Sequence, residues 1–312
     1  MAGPSDLPDI VPLSDMPADR RAHVDELLQG AVDLHCHSGP SAMPRILGHH
    51  QAFQEAQEAG FKALLYKDHY YVGMNHCTLL QEVYPDMKTK VFSGVALNNA
   101  TGGVNPHAVD HCVKMGGKIV WMPTFSAANH LSHYSAKTFP KTAKKMLEPI
   151  PLKVTDDKGN LTPEALDILD LIAEGDIILS GGHLHISEML PLYQEAKKRG
   201  VKKMLINHPT YLIDCTDDDM RALSDLGAYM EHSICMFIES RVKFWDANEL
   251  KRLIDVVGAD KTVLGSDLGL TQAPKPVDGF REIVSAMIDV GISDDDIRKV
   301  TSRNAAGLLG LT

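Results

Sequence analysis

Short apolar runs recur along the chain at 31–37, 63–67, 91–97, 118–123, 177–181, 203–208, 228–231 and 262–266. Runs this short, apolar at nearly every position, are what strands buried on both faces look like. Between them apolar positions fall at intervals of three and four, which predicts amphipathic helices over 50–59, 106–115, 163–173, 188–199, 217–226 and 247–257, and another over 279–290 after the last run. Strands alternating with helices pair in parallel, and eight such repeats predict an α/β fold of the (β/α)8 TIM barrel type, with an open doubly wound sheet as the alternative.

One interval breaks the rhythm. Between the fourth and fifth runs lies an insertion, 125–162, which holds a His-, Ser- and Lys-rich stretch and then Asp156-Asp-Lys-Gly-Asn160, a turn sequence that predicts a small hairpin. Leaving from the C-terminal end of a barrel strand, the insertion is expected either to lie over the mouth as a lid or to serve as an edge or oligomer contact. Residues 1–30 read as an N-terminal extension, and the whole of 1–312 as one barrel domain.

The composition narrows the class. At 312 residues, the chain exceeds the roughly 250 typical of a (β/α)8 barrel and leaves room for insertions. No apolar run reaches membrane-spanning length, and Pro4, Asp6, Pro8, Asp9, Asp15 and Asp19 interrupt the stretch that a secretory signal would need. A net charge of −10 argues against nucleic acid as a partner. Five cysteines without Cys-x-x-Cys spacing read as free thiols of a reducing, cytoplasmic setting. Assembly into a homo-oligomer is left open.

Chemistry is expected where barrel enzymes keep it, at the C-terminal ends of the strands. The first run ends Ala31-Val-Asp-Leu-His-Cys-His37; because strand residues two apart share a face, His35 and His37 converge. The second run ends Tyr66-Lys67-Asp68-His69, the fifth Gly181-Gly-His183-Leu-His185, the sixth Asn207-His208, the seventh at Glu231 and the eighth Gly265-Ser-Asp267. Metal-ligand types at the same end of strands one, five, six and eight point to a divalent metal site.

This constellation resembles the amidohydrolase superfamily, whose barrels carry His-x-His on the first strand, His on the fifth and sixth and Asp on the eighth. The closing Val300-Thr-Ser-Arg-Asn-Ala-Ala-Gly-Leu-Leu-Gly-Leu311 is similar to the last helix of those enzymes. More narrowly, Val32-Asp-Leu-His-Cys-His-Ser-Gly-Pro40, Lys67-Asp-His69, the loop from Leu97-Asn98 to Gly102-Gly-Val-Asn-Pro106, Val120-Trp-Met-Pro-Thr124 and Gly182-His183 resemble the DUF6282 subgroup, which brings a fold but no substrate.

The resemblance implies a metal held by His35, His37, His183, His208 and Asp267, with zinc the default and manganese or iron compatible. Many two-metal relatives bridge their ions from the fourth strand, which here ends Trp121-Met-Pro-Thr124 without a ligand; Lys67 is the substitute, either carboxylated as a bridge or retained as an ammonium that holds a substrate carboxylate. His183 is then the ligand of its pair, and His185 orients a ligand or touches substrate. Such a site makes a hydrolase: the ion acidifies water and polarises a carbonyl, Asp267 relays the proton, and a small amide, cyclic amide, lactone or ester, expected to carry an anionic group, is cleaved.

Substrate contacts are expected from Arg45, Lys67, His69, Asn98, His185 and Glu231, the last with a buried structural role as its alternative; His130, His133 and Tyr134 are within reach on the insertion. Three other functions use the same residues: decarboxylation of a small acid, phosphoester hydrolysis and an inactive binding scaffold. Leu268 and Gly269 after Asp267 weigh against the phosphoesterases, which commonly finish Asp-x-His.

Overall fold

A computed structural model describes residues 7–134 and 142–311. Part of the expected lid, 135–141, lies outside the described residues. Among those described, the strands are β1 Val32–Cys36, β2 Ala63–Tyr66, β3 Lys90–Ser93, β4 Val95–Ala96, β5 Ile119–Trp121, β6 Ile178–Ser180, β7 Met204–Asn207, β8 Tyr229–Ser233 and β9 Thr262–Gly265. The helices are α1 Ala18–Leu27, α2 His49–Glu58, α3 Met74–Val83, α4 Pro106–Lys114, α5 Ala128–His133, α6 Pro163–Gly175, α7 Ile186–Lys198, α8 Asp217–Leu226, α9 Ala247–Val257 and α10 Pro276–Asp289, with a closing pair, α11 Asp294–Arg298 and α12 Asn304–Leu309.

All eight expected runs form strands. The third is cut in two at Gly94, where a Cβ would stand 1.9 Å from the Ile119 carbonyl oxygen. Only glycine allows the two backbones so close.

Contacts gather the chain into two compact units, one of Met1–Tyr66, Thr78–Val91 and His232–Thr312, the other of Lys67–Cys77 and Phe92–Glu231. In the first, β1 and β2 pair in parallel with Val32 opposite Ala63, and the chain beyond β9 joins the end of β1 at a Cys36–Leu268 bridge. In the second, β4 to β8 pair in chain order, every pair parallel, with Val120 opposite Leu179 and Asn207 opposite Glu231. Strands β1, β2 and β5 to β7 are buried throughout, which explains their unbroken apolar pattern.

Helices α1, α3 and α5 are not apparent from apolar periodicity. Only Val24 and Leu27 of α1 are buried, and α3 turns Leu79 and Val83 outward while burying Met74 and Cys77, so neither carries a clean stripe. The expected hairpin is present as one antiparallel bridge, Thr155–Leu161. Its turn is held by Asp156, whose Oδ1 accepts from the amides of Lys158 and Asn160 at 2.8 and 2.9 Å. Asn304 of the closing helix donates to the carbonyls of Ala259 and Thr262, tying that helix to the start of β9. No helix among the described residues is long and apolar enough to cross a membrane.

Candidate metal centre and a histidine cluster

In the first unit, β1 delivers His35 and His37 to the point where the chain leaves β9. The Asp267 amide donates to the His35 carbonyl at 2.7 Å and the His37 amide to the Leu268 carbonyl at 2.8 Å, which fixes the two strand ends side by side. Asp33, two residues before His35 on the same strand, strengthens this clamp: its Oδ1 accepts from the amides of His35 and Ser266, both at 2.9 Å, and the Ser266 hydroxyl donates to the His35 carbonyl at 3.0 Å. Burial pushes the Asp33 carboxyl up to about 6, against the pull of those hydrogen bonds.

The result is a preformed chelate. His35 Nε2 and His37 Nε2 lie 3.2 and 3.0 Å from the same oxygen, Asp267 Oδ1. Ligand atoms sharing one ion at about 2.0–2.2 Å, with angles between about 90° and 109°, stand roughly 3.0–3.5 Å apart, so the three side chains fit a divalent cation. Both imidazoles are buried and Asp267 is only 16% exposed. His37 is lowered to about 3 by burial and then by the nearby Arg45 charge, which outweigh the attraction of Asp267; its ring is neutral, the form a metal needs. Burial would raise the Asp267 carboxyl, but the neighbouring His35 and the hydrogen bonds from His35 and His37 hold it well below the usual range. Asp267 also adopts a left-handed backbone, φ 50°, a strain that non-glycine residues keep mostly at functional positions. Arg45 reaches this site through an antiparallel bridge to Leu270.

The second unit gathers four more histidines. His183 follows Gly182, whose φ of 61° and lack of a side chain let the backbone pass the Met122 carbonyl, 2.2 Å from where a Cβ would be. The His183 and His130 Nδ1 atoms share a hydrogen bond of 2.8 Å, with the rings stacked at 4.8 Å. That bond occupies Nδ1 of His183 and leaves Nε2 as the nitrogen with which it would hold an ion. The His208 ring lies 5.0 Å away, carried by another left-handed residue, φ 32°. His69 stacks on Phe125 at 3.8 Å and accepts or donates at Thr124 Oγ1, 2.9 Å away. Burial first, then surrounding imidazoles and the Lys67 charge, hold His183 well below its ordinary value and lower His130 to about 3. Lys67 itself is buried, its Nζ 5.7 Å from the centre of the Trp121 ring.

Three of the expected substrate contacts hydrogen-bond within the protein. Asn98 is saturated: Nδ2 donates to the His69 carbonyl and Thr124 Oγ1 at 3.0 and 2.6 Å, and Oδ1 accepts from the amides of Thr124 and Ser126, both at 2.9 Å. It braces the ends of β4 and β5 and has no hydrogen-bonding position left for a substrate. His185 is not beside His183, because the chain has already left β6 and two-residue periodicity no longer applies; it caps α7 by accepting from the Ser187 amide at 3.2 Å, and is 38% exposed. Glu231, fully buried on β8, accepts from Asn207 Nδ2 at 2.7 Å, and Asn207 in turn takes the Ser180 hydroxyl, which links β6, β7 and β8. On the insertion, His133 is exposed and bonded to the Asn129 carbonyl, whereas His130 is buried in the cluster.

Sequence reasoning assigned no role to Asp33 or Ser266. A carboxylate two residues before His35 in a buried strand was the available signal, since it must share the histidines' face.

Residues 30–231 match a family of unknown function, DUF6282. The chain belongs to that family. No curated protein matches it. Among solved structures, this DUF6282 chain is similar to an amidohydrolase from Pseudomonas aeruginosa, with a TM-score of 0.65 at 12% identity over 93% of this chain and 98% of that one. It is similar also to the probable dipeptidase PvdM from the same organism, with a TM-score of 0.65 at 11% identity over 95% and 98%. A third likeness is to a phosphotriesterase homology protein from Escherichia coli, with a TM-score of 0.54 at 13% identity over 90% and 99%. At such identities the likeness shows the fold, which is the (β/α)8 barrel expected from the strand and helix rhythm.

Proposed function

We propose that this protein is a metal-dependent hydrolase of the amidohydrolase type, acting on a small amide, cyclic amide, lactone or ester. The observation that carries the reading is the convergence of His35 Nε2 and His37 Nε2 on Asp267 Oδ1 at 3.2 and 3.0 Å, at the joined ends of β1 and β9. Structures described as an amidohydrolase and a dipeptidase share the fold, which agrees with this choice of reaction.

His35, His37 and Asp267 would hold a divalent ion, with zinc the first choice for two imidazoles and a carboxylate, and manganese or iron compatible. Such an ion supplies Lewis acidity toward a carbonyl and makes water acidic near neutral pH. Asp267, partly exposed and held ionised, takes the proton of the attacking water and returns it to the leaving group. Asp33 and Ser266 keep its strand end in register with His35 while the proton moves. The assignment of Lys67, His183 and His208 as further ligands rests on their places at strand ends in the sequence. For His183 it is supported by the hydrogen bond that leaves Nε2 for an ion.

A second reading, decarboxylation of a small acid by the same residues, draws on Lys67. The Lys67 nitrogen lies 5.7 Å from the centre of the Trp121 ring, whose negative face attracts a cation and not a carbamate.

Metal analysis of chelator-free protein tests both. The expected result is at least one equivalent per chain, lost on His35→Ala or Asp267→Asn; near-zero metal in the unaltered protein refutes the enzyme readings. Two equivalents favour hydrolysis, and retention of both by Lys67→Ala excludes the carbamate bridge. A screen of amides, lactones and esters against small carboxylic acids then separates the two chemistries.

A further inference from the structure

Within the second unit, the loops after β4 and β5 and the described part of the insertion line an open cavity of about 1140 Å³, somewhat above the roughly 300–1,000 Å³ usual for small-molecule sites. Its walls are aromatic and aliphatic, from Tyr70, Phe125, Leu131, Tyr134, Met146 and Ile150. Most polar side chains among the walls already hydrogen-bond within the protein. Asn98 is saturated, and Asn99 bonds both ways with the backbone of Ile150, Nδ2 donating to its carbonyl at 3.1 Å and Oδ1 accepting its amide at 2.8 Å. Ser126 Oγ accepts the Asn99 amide at 3.1 Å, and the Thr142 hydroxyl donates to the Lys144 carbonyl at 2.6 Å. The charged lining residues, Lys145 and Glu148, are exposed and of opposite sign, so they select no net charge.

The cavity also has a fixed relation to the histidine cluster. Phe125 stacks on His69 with 14° between the rings, and Tyr134 stacks on His130 at 4.6 Å and 22°. An occupant lying against these two walls is one ring thickness from the imidazoles of His69 and His130, and His130 is bonded to His183.

The geometry points to this cavity as a binding site for an uncharged aromatic or flat apolar group, the recognition element of the substrate. That the occupant is a substrate rests on the hydrolase reading; that the cavity binds it does not. Large apolar walls with few uncommitted polar groups reward burial of a ring and leave a buried charge without a partner. The specificity expected from Arg45 and Lys67, for an anionic group, is not what this pocket would read.

The test is saturation-transfer NMR and calorimetry on the full chain as purified, with benzamide, acetamide and benzoate as probes. Benzamide should bind, acetamide, which lacks the ring, should not, and benzoate should bind at least tenfold more weakly. Leu131→Glu and Met146→Glu, each placing a carboxylate on the lining, should weaken benzamide at least tenfold. Met146 is 41% exposed, so its variant keeps the fold even if the other does not. Equal binding of benzamide and acetamide, equal binding of benzamide and benzoate, unchanged affinity in Met146→Glu, or loss of benzamide binding when metal is stripped by chelator would each overturn the assignment. Because the stripped protein is expected to bind benzamide as well as before, failure of the hydrolase reading and failure of the pocket are told apart.

Discussion

Replacing Asn98 with alanine should destabilise the second unit by about 4 kcal/mol. The amide makes four hydrogen bonds of 2.6–3.0 Å in a place where Asn98, Thr124 and Ser126 are all buried. Truncation leaves the amides of Thr124 and Ser126 without an acceptor, at about 1–3 kcal/mol each, and removes a donor from the His69 carbonyl. Thr124 Oγ1 keeps its bond to His69 Nδ1 and adds little. A loss of about 4 kcal/mol is roughly a thousandfold in the folding equilibrium and a large share of the 5–15 kcal/mol usual for a domain. Asn98→Asp keeps both acceptor contacts but turns a carboxylate toward the His69 carbonyl, and should fall between the two. Urea unfolding followed by tryptophan fluorescence is the assay, since Trp121 lies fully buried in β5 beside this network. If alanine and aspartate variants both unfold within about 1 kcal/mol of the unaltered protein, Asn98 is no brace, and its amide is free for the substrate contact that its loop position suggested.

Other perturbations follow from the same structure. Gly269 has a φ of 105°, with the His37 carbonyl oxygen 1.6 Å from an added Cβ, so Gly269→Ala must part the ends of β1 and β9; a loss of more than about 3 kcal/mol and weaker metal retention are expected, checked by thermal unfolding and metal analysis. Gly200→Ala, at φ 86° with nothing within 4 Å of its Cβ, should cost only the backbone strain of about 1–2 kcal/mol, and equal effects of the two would refute the clash. Burial lowers His76 to about 4, so the unfolded chain binds its proton more tightly than the folded one. That contribution is complete above about 6.5 and lost as pH falls toward 4, up to roughly 3 kcal/mol at 1.36 kcal/mol per pH unit. The stability of His76→Gln should therefore fall less steeply over that range than that of the unaltered protein, and parallel profiles would refute the assignment.

The pattern of apolar and polar residues defines the strands and most of the helices, because a strand buried on both faces must be apolar at nearly every position and a helix covering it must carry a stripe. It also placed His35, His37 and Asp267 at strand ends, where two-residue alternation and the end of an apolar run are local properties. Spacing alone did not separate His183 from His185, which the resemblance ranked; the two are spaced as in a strand, and the tertiary fold shows that the chain has already turned into the cap of α7. It did not distinguish Asn98 as a brace from Asn98 as a contact, because satisfaction of an amide depends on Thr124 and Ser126, 26 and 28 residues away. Nor could it show that Asp33 and Ser266, 233 residues apart, clamp two strand ends so that three ligand atoms meet. Local periodicity is written in neighbouring residues, whereas the convergence of side chains on one oxygen is decided by backbone hydrogen bonds between segments at opposite ends of the chain.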